Sequence, residues 1–218
     1  LQVSDRGNEL QLNLKSLKVP VLHGSNGLSQ KAAGEGRASY YYSLTRMQTE
    51  GVLKVGGKAE KVRGLSWMDH EFGSNQLAQD QVGWDWFSIQ LDDQTECMLY
   101  LMRRKDGSVD PYSSGTFVNA DGSTRHLDLN GYRVEVLGRW RSPTSGADYP
   151  MKWKVTIPAE QIELEINPAF QNQELITNRS TRVTYWEGAV NVRGTARGKT
   201  VGGAGYVEMT GYAGKLSL

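Results

Sequence analysis

Asp69, His70, Glu71 and Asp85 are the residues of this chain whose types and spacing most directly suggest acid–base chemistry. They lie in residues 64–87, which read GLSWMDHEFGSNQLAQDQVGWDWF and carry the aromatic residues Trp67, Phe72, Trp84 and Trp86. Apolar surroundings remove water from ionisable groups, which raises carboxyl pKa values and lets a carboxylic acid donate a proton near neutral pH. The segment therefore indicates a site for proton transfer.

Alternate side chains of an extended strand share a face, so Trp67, Asp69 and Glu71 are expected on one face and His70 on the other. Two neighbouring carboxylates cannot both ionise cheaply, and one of them is then able to hold a proton and act as an acid. The alternative is an ion pair with Arg63 or a backbone turn, and both interpretations stay open. A single histidine among aromatic residues is more often structural than a catalytic base.

The sequence GWDWF at residues 83–87 predicts a second strand, with Trp84 and Trp86 on one face and Asp85 and Phe87 on the other. An unpaired buried carboxylate is costly, so an inward-facing Asp85 requires a partner. His70 is the predicted partner.

Three later carboxylates, Glu174, Glu187 and Glu208, lie in predicted strands with apolar neighbours. The simpler interpretation is that each is bonded to an arginine or a tyrosine at a strand edge. The alternative is a polar patch in the mouth of a barrel or between domains.

Period-two alternation of apolar and polar residues recurs along the chain, for example in ELQLNLK at residues 9–15 and RVEVLGRW at residues 133–140. Clusters of Gly, Pro, Asn and Asp separate these runs, and the pattern predicts about twelve strands with no helix longer than a few turns. Such spacing is typical of an all-β sandwich or barrel. A change of character at residues 121–130 predicts a domain boundary.

Composition excludes several classes of function. The formal net charge is +1 and the basic residues are scattered, which argues against nucleic acid as a partner. No apolar run reaches the ~20 residues of a transmembrane helix. The three histidines lack the spacing of a metal site, and no nucleotide-binding motif is present, so we expect no metal and no cofactor. The single cysteine, Cys97, is predicted to be a buried core thiol.

Five segments together resemble the AttH-like family, which includes the hydroxyneurosporene synthases, also called carotenoid hydratases. They are ASYYYS at 38–43, WMDHEFG at 67–73, GWDWF at 83–87, YWEGAV at 185–190 and GYVEMTGY at 205–212. The resemblance implies two lipocalin-like antiparallel β-barrel or sandwich domains, at residues 1–126 and 127–218. The E-W-W-Y motif that usually precedes this region in the family has no match, so the first domain is expected to be incomplete at its N-terminus.

The leading functional hypothesis from this resemblance is a protein of the cell envelope or periplasm that binds a hydrophobic, isoprenoid or lipid-like molecule in a cleft within or between its β domains. The residues expected to bind the ligand are Trp67, Trp84, Trp86, Tyr185, Trp186, Glu187 and Glu208.

One alternative is a cofactor-independent hydratase or isomerase acting on an isoprenoid alkene. In that case Asp69, Glu71 or Asp85 would protonate carbon, His70 would orient one carboxyl, and tryptophan rings would stabilise the cation. A second alternative is an accessory protein that binds ABC-transporter components, which predicts an exposed apolar patch.

Overall fold

The computed structural model describes residues 1–74, 77–177 and 180–214. Residues 75–76 of the aromatic segment and residues 178–179 and 215–218 of the predicted second domain lie outside the described residues. The described chain folds into two curled antiparallel β-sheets, of six and ten strands, with one short turn of 3-10 helix at Pro158–Glu160. The all-β, lipocalin-like prediction is confirmed.

The smaller sheet is built around one long strand that pairs with every other strand of the sheet except the first. Its strands are β1 (Gln2–Asp5), β2 (Asn8–Ser16), β3 (Val21–Leu22), β4 (Leu28–Gln30), β5 (Ala38–Val55) and β6 (Lys58–Phe72). The central strand is β5, and the turn at Gly56 and Gly57, both with positive φ, joins it to β6 in a hairpin. Glycine adopts such angles without the steric cost that other residues meet, so the sequence GG ends β5 at this point.

The larger sheet follows the order β10-β9-β8-β7-β16-β15-β13-β12-β11, with β14 attached to β15. Its strands are β7 (Gln81–Leu91), β8 (Glu96–Arg104), β9 (Ser114–Val118), β10 (Thr124–Asp128), β11 (Arg133–Arg141), β12 (Asp148–Ile157), β13 (Ile162–Pro168), β14 (Glu174–Ile176), β15 (Thr184–Ala196) and β16 (Lys199–Thr210).

The strand count differs from the prediction of about twelve, because the described residues contain sixteen strands. Strands β1, β3, β4 and β14 have only two to four residues, too few to show a period-two pattern. Strands β1 to β6 form the smaller sheet and strands β7 to β16 the larger one. The predicted division between residues 126 and 127 instead falls inside β10 of the larger sheet. The division into two domains stays a prediction.

Strands β7 and β8 are covered on both faces, which explains why their sequences are so uniformly apolar and aromatic. Odd-numbered residues such as Phe87 and Leu99 belong to the main core enclosed by the larger sheet, around the fully buried Trp153 and Trp186. Even-numbered residues such as Tyr100 belong to a second cluster that packs against the smaller sheet. Burying one large apolar side chain contributes about 1.5–3 kcal/mol relative to exposure, so both clusters are substantial sources of stability.

A buried ionic cluster also joins the two sheets. The side chain of Glu96 on β8 is fully buried, and its carboxylate binds the Lys18 ammonium at 2.7 Å and the Nε of Arg46 on β5. Removing one member of such a cluster leaves an uncompensated buried charge, which is strongly destabilising.

Two further sequence predictions can be compared with the described residues. Cys97 is buried in the main core, as predicted, and burial raises the pKa of its thiol. In the part of the chain that the structure describes, no helix has the length and apolar character needed to cross a membrane.

Candidate active site

The candidate site lies where β5 and β6 of the smaller sheet face β7 and β8 of the larger sheet. Antiparallel pairing places Ser43 opposite Asp69 and Tyr41 opposite Glu71, so all four side chains share one face. That face belongs to the second apolar cluster, in which Tyr41 is buried and Trp67 and Trp86 are partly buried. Carboxyl groups are thereby brought next to aromatic rings, as the sequence predicts.

Asp69 has an asymmetric set of hydrogen bonds. Its Oδ1 accepts from the Ser43 hydroxyl, from the Tyr41 hydroxyl at 3.0 Å and from the Trp67 indole N–H at 2.9 Å. Its Oδ2 accepts no hydrogen bond from the described residues. One oxygen is therefore anchored, and the other is available to a substrate or to water.

The electrostatics of Asp69 favour a carboxyl that can hold a proton. Protein atoms crowd the carboxyl and desolvate it, which raises its pKa, although the three hydrogen bonds partly oppose this and repulsion from Glu71 adds to it. The residue as a whole still has an exposed surface, so the group is desolvated without being sealed from solvent. These are the properties of an accessible general acid.

Tyr41 connects Asp69 to the larger sheet. Its hydroxyl accepts a hydrogen bond from the Trp86 indole N–H at 3.0 Å and donates to Asp69. Burial raises the pKa of Tyr41 well above its usual value, and the negative charges of Asp69 and Glu71 raise it further. Tyr41 is therefore a neutral phenol that always has a proton to donate to Asp69.

Glu71 is held in a different way from Asp69. The buried Lys31 ammonium lies 2.8 Å from its Oε1, and the Ser39 hydroxyl donates to the same oxygen at 2.5 Å. Lys31 also lies 5.1 Å and 4.0 Å from the ring centroids of Tyr41 and Tyr100, in cation–π geometry. The alternative that Glu71 forms an ion pair is thus correct in kind, but the partner is Lys31 and not Arg63.

Glu208 and Glu187 add two more carboxyl groups to the face of the larger sheet that carries Trp84. They are direct cross-strand partners in β15 and β16, and the Trp84 indole N–H donates to Glu208 Oε1 at 2.6 Å. Burial raises the pKa of Glu208 to about 7, with further contributions from the negative charges of Glu187, Asp69 and Glu71. The negative charge of Asp69 therefore acts on Glu208, and Glu208 can exchange a proton near neutral pH.

The structure separates the four predicted catalytic residues. His70 lies on the opposite face of β6, where it stacks on Tyr42 at 5.2 Å. Asp85 points into the main core, where it accepts hydrogen bonds from Arg103 Nε and the Tyr212 hydroxyl, each at 3.0 Å. The predicted pairing of Asp85 with His70 is therefore wrong, because strand alternation sends the two side chains to different faces of different sheets.

The predicted ligand-binding residues are also divided. Trp67, Trp84, Trp86, Glu187 and Glu208 are partly buried in or beside the cluster between the sheets.

Trp186 and Glu174 do not lie in that cluster. Trp186 is fully buried in the main core, with its ring centroid 6.2 Å from that of Trp153, so the structure places it in the core and not at the site. Tyr185, its half-buried neighbour, shares the strand face of Glu187. Glu174 accepts hydrogen bonds from Tyr149, Ser142 and Ser145, which agrees with the simpler interpretation of that carboxylate.

Sequence reasoning did not identify Tyr41, Ser43, Lys31 or His23 as functional. His23 is fully buried, with Nε2 at 2.7 Å from the Ser43 hydroxyl oxygen and Nδ1 at 2.9 Å from the Thr116 hydroxyl oxygen. Burial lowers the pKa of His23 to about 3, and the positive charge of Lys31 adds to the effect, so the imidazole is neutral. The alternation in YYYS places Tyr41 and Ser43 on one strand face. That this face lies beside Asp69 and Glu71 follows only once the pairing of β5 with β6 is known.

Comparison with known proteins gives a consistent result. A family model described as AttH-like matches residues 1–212. Dehydratase asqC of Emericella nidulans is 22% identical over 216 residues, which cover 96% of this chain and 60% of that protein. Kievitone hydratase of Fusarium solani subsp. phaseoli is 22% identical over 175 residues, which cover 78% of this chain and 49% of that protein. The chain thus spans about half to three-fifths of the length of these relatives.

Two crystal structures have closely similar folds. One, described as an AttH from Nitrosomonas europaea, has a TM-score of 0.88 and 34% sequence identity, covering 97% of this chain and 64% of that one. The other, kievitone hydratase from Nectria haematococca, has a TM-score of 0.76 and 20% identity, with the same coverage of 97% and 64%. At that identity the second likeness concerns the fold alone.

Proposed function

This chain belongs to the AttH-like family, and on that premise we propose that the site between its two sheets adds water to, or removes water from, a hydrophobic substrate without a cofactor. Two relatives carry the names hydratase and dehydratase, although each is a longer protein. The hydratase alternative therefore takes precedence over binding alone. Binding of an isoprenoid or lipid-like ligand beside Trp67, Trp84 and Trp86 becomes the first step of the same proposal.

The observation that carries the proposal is the asymmetric setting of Asp69. Three donors anchor Oδ1, while Oδ2 is open and the pKa of the carboxyl is raised by desolvation. A protonated Asp69 can then deliver its proton from Oδ2 to an alkene carbon. After transfer, the three donors stabilise the carboxylate that forms, and this lowers the barrier in the manner of a preorganised anion site.

Hydration then proceeds in two bond-forming steps. The Asp69 Oδ2–H bond breaks, and the alkene's π electrons form a new C–H bond, which leaves a positive charge on the neighbouring carbon. We assign the stabilisation of that cation to the rings of Trp67 and Trp86, which meet edge to face at 6.3 Å. Water then donates a lone pair to form the C–O bond.

Glu208 is the group proposed to take the proton that the attacking water loses. Because its pKa is raised to about 7, a large fraction of Glu208 is ionised at neutral pH and can act as a base. The proton then returns to Asp69 through solvent, so the cycle adds one water and consumes no proton. Dehydration of an alcohol is the same sequence in reverse.

The proposal is tested by comparing Asp69→Asn with Asp5→Asn on a panel of isoprenoid alkenes and their alcohols. Asp5 has an exposed side chain on β1, which pairs only with β2, and is the matched control. We expect Asp69→Asn to bind the same ligands with turnover reduced by about 10²–10⁴-fold, the range of a lost general acid. Equal turnover in both variants would reject the proposal.

Partner binding is a second candidate, because one observation specifically favours it. The opposite face of β5 and β6 exposes apolar and aromatic side chains: Tyr40 and Phe72 are 59% and 53% exposed and stack at 5.5 Å. Leu28 on β4, which pairs with Tyr40, is 44% exposed. An exposed apolar patch of this kind is typical of a site that binds another protein. The partners proposed from the family resemblance are ABC-transporter components of the cell envelope. A Tyr40→Ser and Phe72→Ser double variant should lose partner binding and keep turnover.

A further inference from the structure

A chain of hydrogen bonds continues behind Asp69 into the buried contact between the two sheets. It runs from Asp69 through Ser43 of β5 and His23, which follows β3, to Thr116 of β9. Ser43, His23 and Thr116 are all buried. The chain therefore links the exposed carboxyl to the interior of the larger sheet.

The direction of each bond follows from the chemistry of its members. A neutral imidazole has one N–H donor and one acceptor nitrogen. Since the Ser43 hydroxyl donates its single proton to Asp69, it can only accept from His23, so Nε2 must carry the imidazole proton. Nδ1 is then the acceptor, and the Thr116 hydroxyl must donate to it. Every donor in the chain points toward Asp69.

The surroundings of His23 keep it neutral and hold its ring in place. The Tyr41 ring lies 4.2 Å from the imidazole centroid, and Lys31 and His126 are the charged or titratable groups whose repulsion opposes protonation. A protonated His23 would donate from both nitrogens and leave the Thr116 hydroxyl without its acceptor. The neutral Nε2–H tautomer is the one that satisfies all the partners.

We propose that His23 is a positioning residue: its Nε2–H donates to the Ser43 hydroxyl oxygen and thereby directs the Ser43 proton onto Asp69 Oδ1. In the opposite tautomer, Nε2 would be a hydrogen-bond acceptor, and the Ser43 hydroxyl would donate to His23 instead of Asp69. Asp69 would then lose one of its three donors. The inference rests on the proposed role of Asp69 as the acid, but its test does not require turnover.

The first measurement is the tautomer of His23, from nitrogen-15 NMR of the protein labelled at its three histidines. We expect His23 to be neutral, with the proton on Nε2, over the range of about pH 5 to 8 in which an unperturbed imidazole changes its charge. The spectrum of a His23→Gln variant assigns the signal. A proton on Nδ1, or a protonated imidazole, would overturn the proposal even if Asp69 proved to be the acid.

The second measurement is the pKa of the Asp69 carboxyl, followed by carbon-13 NMR with labelled aspartate. Charged groups that act on this carboxyl are Glu71 on its own strand and Glu208 across the site, and both are unchanged in the variants. His23→Leu removes the N–H that donates to Ser43 and leaves the Ser43 hydroxyl free to turn away from Asp69. We expect the acidity constant of Asp69 to fall about tenfold, as for the loss of one hydrogen bond to a charged group.

Two controls separate positioning from a general effect on the fold. Thr49→Val removes a buried threonine hydroxyl of β5 that donates to Ser66 at 2.7 Å and not to His23 or Ser43, and it should leave the pKa of Asp69 unchanged. His23→Gln keeps an N–H donor toward Ser43 and should preserve the Asp69 pKa better than His23→Leu. If His23→Leu leaves the pKa of Asp69 unchanged, as Thr49→Val is expected to do, His23 is merely structural. A different outcome is that Asp69→Asn retains turnover while His23 has the expected tautomer and the Asp69 pKa responds as expected. In that case the directions of the hydrogen bonds are correct and the proposed function is wrong.

Discussion

Ser43 and Asp69 lie directly opposite each other in the β5–β6 pair, and the Ser43 hydroxyl donates to Asp69 Oδ1. This relationship depends on a register shift between Leu44 and Met47, where β5 carries one extra residue. Without that bulge, the hairpin register would place Leu44 opposite Asp69. One inserted residue therefore gives Asp69 a hydroxyl donor in place of an apolar neighbour.

The Tyr41 hydroxyl is another donor to Asp69, and a single substitution removes it without removing the ring. Tyr41→Phe deletes the hydroxyl that donates to Asp69 and accepts from Trp86, while the buried ring stays. We expect the pKa of Asp69 to rise further and the unfolding free energy to fall by about 0.5–1.5 kcal/mol, because the Trp86 N–H, in a partly buried ring, loses its acceptor. Carbon-13 NMR and urea unfolding measure the two effects. An unchanged Asp69 pKa would show that the Tyr41 bond is not formed in solution.

Glu208 should make the protein less stable as pH rises toward neutrality. Its pKa is about 7 in the folded chain, against 4.5 for an unperturbed glutamate, so the folded state binds more protons between these two pH values. The stabilisation that the protonated Glu208 contributes is fully present below pH 4.5. It is lost as the pH rises to about 7, so the unfolding free energy decreases over this range. Glu208→Gln should flatten that part of the stability curve, as measured by urea unfolding at a series of pH values. A slope unaffected by the substitution would contradict the raised pKa.

Glu96 should be far more important for stability than an exposed glutamate that is also ion-paired. Glu96→Gln leaves the buried Lys18 and Arg46 without their carboxylate and is expected to cost about 3–5 kcal/mol. Glu9→Gln, which breaks the exposed pair with Lys54 at 2.9 Å, should cost less than about 1 kcal/mol. Urea unfolding of the two variants checks the comparison, and equal losses would show that Glu96 does not join the sheets.

Gly188 is required because the Trp186 ring lies across it. A Cβ at this position would lie 2.0 Å from the ring, so Gly188→Ala must displace a fully buried tryptophan. We expect a loss of about 1–3 kcal/mol, as for other overpacked cores, and a changed near-ultraviolet circular dichroism spectrum. Gly64→Ala, with no atom within 4 Å of the added Cβ, is the control. A normal melting temperature for Gly188→Ala would mean that the core can rearrange around Trp186.

Strand alternation in the sequence predicted a large part of the fold and part of the site. It correctly placed Trp67, Asp69 and Glu71 on one face and His70 on the other, because side-chain direction in a strand is a local property. It also separated Trp84 and Trp86 from Asp85. Neither result required any knowledge of which strands pair.

Pairing between distant strands could not be predicted in the same way. His70 was expected to be the partner of Asp85, but the actual partners are Arg103 and Tyr212, and Tyr212 is 127 residues away. His23 contacts Thr116 across 93 residues. The site around Asp69 also depends on the bulge between Leu44 and Met47, which no turn residue marks in the sequence.

The most direct test of the central claim is deuterium transfer to carbon. Wild-type protein and Asp69→Asn are incubated in deuterium oxide with isoprenoid alkenes, and the alcohol products are examined by mass spectrometry. If Asp69 delivers a solvent-derived proton to the alkene, the wild-type product carries deuterium at the carbon next to the new hydroxyl-bearing carbon, and Asp69→Asn forms little of it despite binding the alkene. Equal deuterium incorporation by both proteins, or none by the wild type with any bound alkene, would contradict the role proposed for Asp69.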